Sequence, residues 1–161
     1  MHILTVIFLL LGLLGAAGCA TTETIPVDTV IAVWDVENLN PVSEQSPQLG
    51  EFLAARVMQT FKDTGRYTVV ERQRLQVVLE ELALGSAGLA DEASRLQLGR
   101  LLGARYMVFG GYFVVEQTMR LDLRLVNVET GAVVRAAKQM RQSADLAGWL
   151  DAADQAALDL I

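Results

Sequence analysis

The sequence predicts an α/β domain of the α+β kind, with a mixed sheet of about five strands, helices packed on it, and the order β-α-β-α-α-β-β-β-α. Three observations carry that expectation. The run Thr29–Val36, TVIAVWDV, is rich in β-branched residues and almost continuously apolar, which suits a strand buried on both faces. Between Gln48 and Phe61 the apolar residues Leu49, Phe52, Leu53, Val57 and Phe61 recur at spacings of 3, 1, 4 and 4, one face of a helix. From Thr118 to Val128 the pattern TMRLDLRLVNV alternates, with Met119, Leu121, Leu123 and Leu125 facing one way and Arg120, Asp122 and Arg124 the other.

The remaining elements follow in order. Thr21–Thr29 is short and polar, contains Pro26, and forms a linker. Glu37–Pro47 holds two prolines, two asparagines and two serines and is expected to be a loop. Asp63-Thr64-Gly65 ends the first helix, with Gly65 as its C-terminal cap. Arg66–Glu71 is a short strand. Leu75, Val78, Leu79 and Leu82 mark a second helix over Arg72–Leu84, which Gly85-Ser86-Ala87-Gly88 interrupts. Asp91–Leu102 is a third, carrying Leu98, Leu101 and Leu102, and Gly103 closes it. Arg105–Glu116 is a strand whose central Gly110-Gly111 marks a bulge or a close backbone approach. Glu129-Thr130-Gly131 is a hairpin loop leading into the strand Ala132–Arg141. A last helix spans Asp145–Ile161, with Leu146, Trp149, Leu150, Ala153 and Ala157 as its buried stripe and Asp151, Asp154 and Asp159 away from it.

Composition narrows the function. Thirteen Lys and Arg against nineteen Asp and Glu give a net charge of −6, so nucleic acid is not an expected partner. A hydrophobic content of 52% excludes disorder for most of the chain. There is one His, His2, and one Cys, Cys19. A chain cut before Cys19 retains no His and a single Cys at its first position, which removes Ser-His-Asp and Cys-His catalysis, His or Cys zinc sites, haem ligation by His and structural disulfides. No enzyme activity, metal or cofactor is expected.

The N-terminal segment places the chain. Residues Ile3–Ala17 form an apolar run, ILTVIFLLLGLLGAA, of the length of a secretory h-region, and no basic stop-transfer cluster follows it. The small residues Ala16-Ala17-Gly18 stand directly before Cys19, a pattern that looks like a bacterial lipobox cleaved between Gly18 and Cys19. Acyl chains such as palmitate on Cys19 would hold the protein on a membrane, since two or more chains anchor persistently. Ala20 and Thr21, rather than Asp, imply export to the outer membrane by analogy with the enterobacterial sorting rule. The expected organisation is a signal peptide over 1–18, the lipidated Cys and linker over 19–28, and a periplasmic domain over 29–161.

Taken in order, the segments IAVWDVENLN, LGEFLAARVMQTF, GRYTVVERQRLQVVLEELALGSAGL, LGRLLGARYMVFGGY and LRLVNVETGAVV resemble the periplasmic domain of the curli-secretion lipoproteins, the CsgG-type family. Similar domains occur in penicillin-binding-protein activators of the LpoB type and in the N-terminal domain of TolB-like proteins. The resemblance covers residues 29–141, and its most specific part is Val70-Glu71-Arg72 with Leu75, followed by Leu98-Gly99 and Gly103-Ala104. It implies an outer-membrane lipoprotein that serves an envelope assembly (secretion, appendage or cell-wall synthesis) as adaptor or accessory subunit, through protein–protein contacts and with possible homo-oligomers. The pore-forming members add two β-hairpins per subunit. A membrane strand needs about 9–11 residues, and this chain has no room for four more.

The residues with a functional reading are few. Glu71 and Arg72 suit a subunit or partner contact, or a local ion pair at a helix start. Arg120, Asp122 and Arg124 suit a partner-facing or peptidoglycan-facing surface, or a solvated strand face. Trp34 and Trp149 are core packing or interface anchors. Asp35 and Glu37 end the first strand where open α/β sheets bind ligands, and they carry a second class of reading, a small ligand-binding or hydrolase domain. A further alternative is a ring-forming secretion channel component in which Arg105–Val128 rearranges into one membrane hairpin.

Overall fold

The chain forms β1 (Thr29–Val33), β2 (Glu37–Asn38), α1 (Gln48–Asp63), β3 (Tyr67–Val69), α2 (Arg72–Glu81), α3 (Glu92–Leu101), β4 (Tyr106–Val115), β5 (Thr118–Asn127), β6 (Val133–Gln142) and α4 (Leu146–Leu158). The structure is a computed structural model and describes residues 24–40, 48–81, 91–143 and 145–161. The strand order is β3-β1-β4-β5-β6, with the two residues of β2 pairing on β4 beyond the end of β1. β1 runs parallel to β3 and β4, as helical crossovers require, whereas β4, β5 and β6 form an antiparallel meander joined by tight turns. The sheet is mixed, six-stranded and open, one short strand more than the sequence predicts.

Strand direction gives the sheet two ends. At one, here the entry end, lie the starts of β1, β3 and β4 and the β5–β6 turn. Thr29 pairs with Tyr67 there and Tyr106 with Asn127. At the far end Val115 meets Thr118 across the β4–β5 turn.

Each face of the sheet has its own core. On the first face, Ile31, Val33, Tyr106, Val108, Tyr112, Val114 and the β5 row Met119, Leu121, Leu123 and Leu125 are buried under α1 and α4. Phe61 of α1 meets Tyr67 edge-on, with ring centres 5.9 Å apart. On the second face, Ala32, Met107, Phe109 and Val126 are buried under Leu75 of α2 and Leu96, Leu98 and Leu102 at α3. The expected caps hold: Gly65 after α1 has φ +62° and Gly131 in the β5–β6 turn has φ +70°, both left-handed.

Several expectations need correction. The regular pairing of β1 stops at Val33 rather than Val36, and Glu37–Asn38, expected in a loop, re-forms a ladder with Gly111 and Tyr112. Phe52 and Leu101 sit at helical spacing but are exposed, and Leu96 takes the place expected of Leu101. An apolar arc read from spacing is wider than the contact a helix makes with a flat sheet. In α4, Leu146 is exposed and the contact is made by Ala152, Ala153, Ala156 and Ala157, small side chains that let the helix lie close to the sheet and to α1. Leu82–Leu84 and Pro41–Pro47 lie outside the described residues.

Asp154 is also corrected, because it faces α1 rather than solvent. Its carboxylate receives Arg56 through Nε at 2.7 Å and Nη2 at 2.6 Å, and Thr60 Oγ1 lies 2.6 Å away. Partial burial pushes this carboxyl up, but the hydrogen bonds from Arg56 and Thr60 outweigh it and hold it below the usual carboxylate range.

One irregularity decides what β6 presents. Val126 pairs with Val133, but Leu125 pairs with Arg135, so Val134 is an extra residue in the ladder. This bulge reverses the in-and-out order of every later β6 residue. Ala137 is thereby buried on the first face, and Ala136, Lys138 and Met140 stand opposite Arg124, Asp122 and Arg120 on the second.

Two outcomes are expected. Ala for Gly in a helix interior normally gains about 1 kcal/mol, but a Cβ at Gly50 would stand 2.0 Å from the backbone oxygen of Val36. Gly50→Ala should therefore destabilise the domain by about 1–3 kcal/mol, measured as a lowered urea midpoint. Asp154 has a depressed native pKa, so its contribution is present above the unfolded carboxylate value and is lost as pH falls through the native one. Asp154→Asn should lower stability at neutral pH, and its deficit against the parent should shrink on acidification, as pH-dependent urea titrations would read.

Candidate functional site: an arginine-roofed groove

The helices do not cover the second face evenly. α2 and α3 lie over its entry half, and the far half has no helix among the described residues. A groove of about 460 Å³ crosses this bare region over β2, β4, β5 and β6. Phe109, Gly111 and Ala136 form its floor, Trp34, Glu37 and Arg95 one side, and Asp122, Arg124 and Lys138 the other.

One glycine of the pair, Gly111, faces the groove, and Gly110 faces the other side of the sheet. The β4–β5 ladder runs through Gly110 and Gly111 without a shift, so the expected irregularity is a close approach and not a bulge. A Cβ on Gly111 would stand 2.6 Å from Leu39 Cδ1, because Leu39 lies over it. On the opposite face, a Cβ on Gly110 would stand 2.4 Å from Leu123 Cδ2 and 2.9 Å from the Asp122 carbonyl oxygen.

Three arginines take the place of a third helix. The guanidinium carbon of Arg95 stands 5.4 Å from the Trp34 ring centre, that of Arg124 5.7 Å from Phe109, and that of Arg120 5.9 Å from Phe113. Each is also tied to a carboxylate: Arg95 to Glu37, Arg124 to Glu92 at 2.7 Å, and Arg120 to Asp122 at 2.6 Å. The planar guanidinium covers an aromatic face while its edge donates to an acid. Lys138 lies opposite Asp122 in the ladder, but Asp122 is engaged by Arg120. Its ammonium has no ion-pair partner among the described residues.

The residues singled out in the sequence are only partly brought together. Arg120, Asp122 and Arg124 share one face and line or flank the groove. Glu71 and Arg72 lie outside it and part company: Lys62 donates to Glu71 at 2.6 Å, while Arg72 donates to Asp35 at 2.7 Å and lies 3.4 Å from Glu51. Asp35 and Glu37 are each engaged by a different arginine, so they do not form a shared pair. Burial raises the Asp35 carboxyl above its ordinary range, Arg72 opposes that shift, and nearby Glu51 adds to it. No cluster of three His, Cys, Asp or Glu suited to a metal occurs among the described residues. Trp34 is half-buried at the groove, whereas Trp149 packs against the first-face core on the other side of the sheet. Gly18 and Cys19 lie outside the described residues.

Sequence reasoning missed Arg95, Leu39 and Lys138. Arg95 and Leu39 arrive from elements far apart in the chain, with no local signal. Lys138 would have been placed on the first face by counting from the turn, and only the extra Val134 brings it round.

No helix among the described residues is long and apolar enough to cross a membrane. The model of the family described as curli production assembly/transport component CsgG matches residues 20–117. The comparison with curated proteins finds no match. Among solved structures, the chain is similar to the LpoB C-terminal domain from Salmonella enterica, at 22% identity and a TM-score of 0.61, over 82% of this chain and 91% of that one. It is also similar to a PelC dodecamer subunit from Paraburkholderia phytofirmans, at 15% identity and a TM-score of 0.56, over 86% and 93% of the two chains. Lipoprotein GNA1162 from Neisseria meningitidis matches at 13% identity and a TM-score of 0.55, over 70% and 81%. At these identities the likeness is one of fold.

Carboxyl-carbon NMR titration should place Asp35 above the ordinary aspartate range. Arg72→Gln should move it further up, because the opposing cation is gone; a downward movement would contradict the assignment of Arg72 as its counter-charge.

Proposed function

This chain belongs to the CsgG family, and from that premise we propose that it is an accessory protein of the bacterial envelope, anchored by lipid on Cys19 to the outer membrane, with its domain in the periplasm. It acts by docking a protein partner and not by catalysis. The observation that carries the docking reading is the uncovered far half of the second face. There Arg95, Arg120 and Arg124 lie on aromatic rings beside the exposed side chains of Leu39 and Met140. Arginines and aromatics dominate the residues that carry binding energy at protein interfaces.

Three further points support the anchor. The apolar run before Cys19 has the length and flanks of a secretory signal. The family match begins at residue 20, directly after that cysteine. One solved structure of the same fold is described as a lipoprotein. The partner class is an envelope assembly component, of a secretion, appendage or cell-wall machine. Self-association is a second reading, favoured by the dodecameric state of the PelC neighbour. A channel made by rearranging Arg105–Val128 is disfavoured, because it would strip Tyr106, Val108, Tyr112 and the whole β5 row out of the core.

Two measurements test this. Cells fed a clickable palmitate analogue should label the full-length protein, and Cys19→Ser should abolish both label and membrane retention; labelling that survives the substitution would refute the anchor. A photo-crosslinking amino acid at Lys138 should give a discrete protein adduct in the envelope, whereas one at Gln59, on the outside of α1, should not. Equal adducts at both positions, or none at Lys138, would remove the groove from the docking role.

A further inference from the structure

The arginines of this domain fall into two groups. Arg56, Arg72, Arg95, Arg120 and Arg124 each meet a carboxylate. Arg66, Arg74, Arg100, Arg105, Arg135 and Arg141 meet none among the described residues, and three of these six, Arg66, Arg100 and Arg105, lie together at the entry end. Arg66 stands 5.3 Å from the Tyr67 ring centre, Arg105 stands 5.7 Å from that of Tyr106, and Arg100 donates to the carbonyls of Val128 and Glu129. Val27 and Leu101 are exposed at the same end, by 62% and 57%.

The chain enters the domain at this end. Ile25 is buried in the first-face core, the Asp28 amide donates to the Arg66 carbonyl at 2.7 Å, and Thr29 Oγ1 donates to Pro26 at 2.7 Å. From Ile25 onward the chain is therefore fixed to the sheet. Only five residues lie between Cys19 and Ile25, and the six steps from one to the other span at most about 20 Å when fully extended. The ten residues of β4 carry the sheet about 30 Å from the entry end to the far end. An anchor at Cys19 cannot reach past the domain, so an inverted placement is excluded.

We propose that the entry end rests on the phospholipid headgroups of the leaflet that holds the Cys19 acyl chains, with Arg66, Arg100 and Arg105 on lipid phosphates and Val27 and Leu101 at the interface. The groove is thereby held on the side away from that membrane. This rests on the acylation of Cys19 argued above. Asp28, Asp63 and Glu129 share the entry end, so the contact is not a long-range attraction of a basic patch. It is a local match of guanidinium forks, free of carboxylates, to phosphate oxygens.

The test uses the full lipidated chain. Because the Cys19 thiol is acylated, Leu101→Cys and Val115→Cys each supply one free thiol for a fluorophore. The labelled proteins are reconstituted into vesicles of phosphatidylethanolamine and phosphatidylglycerol, with and without a headgroup spin-labelled lipid. Quenching should be several-fold stronger at 101 than at 115. Replacing Arg66, Arg100 and Arg105 by Gln, with folding checked by circular dichroism, should weaken quenching at 101 while the protein still floats with the vesicles. Equal quenching at both sites, stronger quenching at 115, or no effect of the triple replacement would overturn the proposed contact and leave the anchor standing. Failure of the parent protein to float would overturn the anchor and this orientation together.

Discussion

Everything in this domain depends on the burial of β4 from both sides. Tyr106, Met107, Val108 and Phe109 are consecutive, and all four are buried. A strand with no wet face needs parallel or antiparallel neighbours at both edges and cover above and below. β1 and β5 supply the edges. α1 and α4 cover one side, α2 and α3 the other. The mixed topology follows: the parallel half needs crossover helices, and those helices are the cover.

That cover is incomplete, and the incompleteness is what leaves the groove. Beyond Phe109 the second face has arginines instead of a helix. A guanidinium lying on an exposed ring contributes about 0.5–1 kcal/mol, and an exposed ion pair about 0–1 kcal/mol. Fully burying one large apolar side chain contributes about 1.5–3 kcal/mol. The arginine roof is therefore a weaker cover than the helices beside it, and it can be strengthened from outside by a surface that buries the partly exposed Trp34 and Phe113 rings.

How far the sequence revealed this varies by element. The alternation of Met119 to Leu125 is legible because a strand with one wet face has period 2, and all four side chains are buried as expected. The helix ends at Gly65 and the turn at Gly131 are legible because left-handed backbone favours glycine. β2 was not, since two residues within a Pro- and Asn-rich stretch carry no period, and only the edge of β4 exposed beyond β1 recruits them. The orientation of Asp154 was not either: its charge suggests solvent, and only the arrival of Arg56 and Thr60 from α1 gives it a buried use. Within the candidate site, Arg120, Asp122 and Arg124 were legible as one face of a strand. Arg95, Leu39 and Lys138 were not, because tertiary contacts assemble them from three separate segments.

The extra residue at Val134 gives the β5–β6 hairpin two phases. Between the turn and the bulge, inward and outward positions are counted from Gly131. Beyond it they are counted the other way. A change of one residue in loop length could therefore be absorbed at the bulge, and the same change in β6 itself would exchange Lys138 and Met140 for Ala137 and Gln139 on the groove side. The chemistry this face presents is thus encoded as parity as much as composition, and an indel within β6 would rewrite it while turning Ala137 out of the first-face core and Lys138 into it.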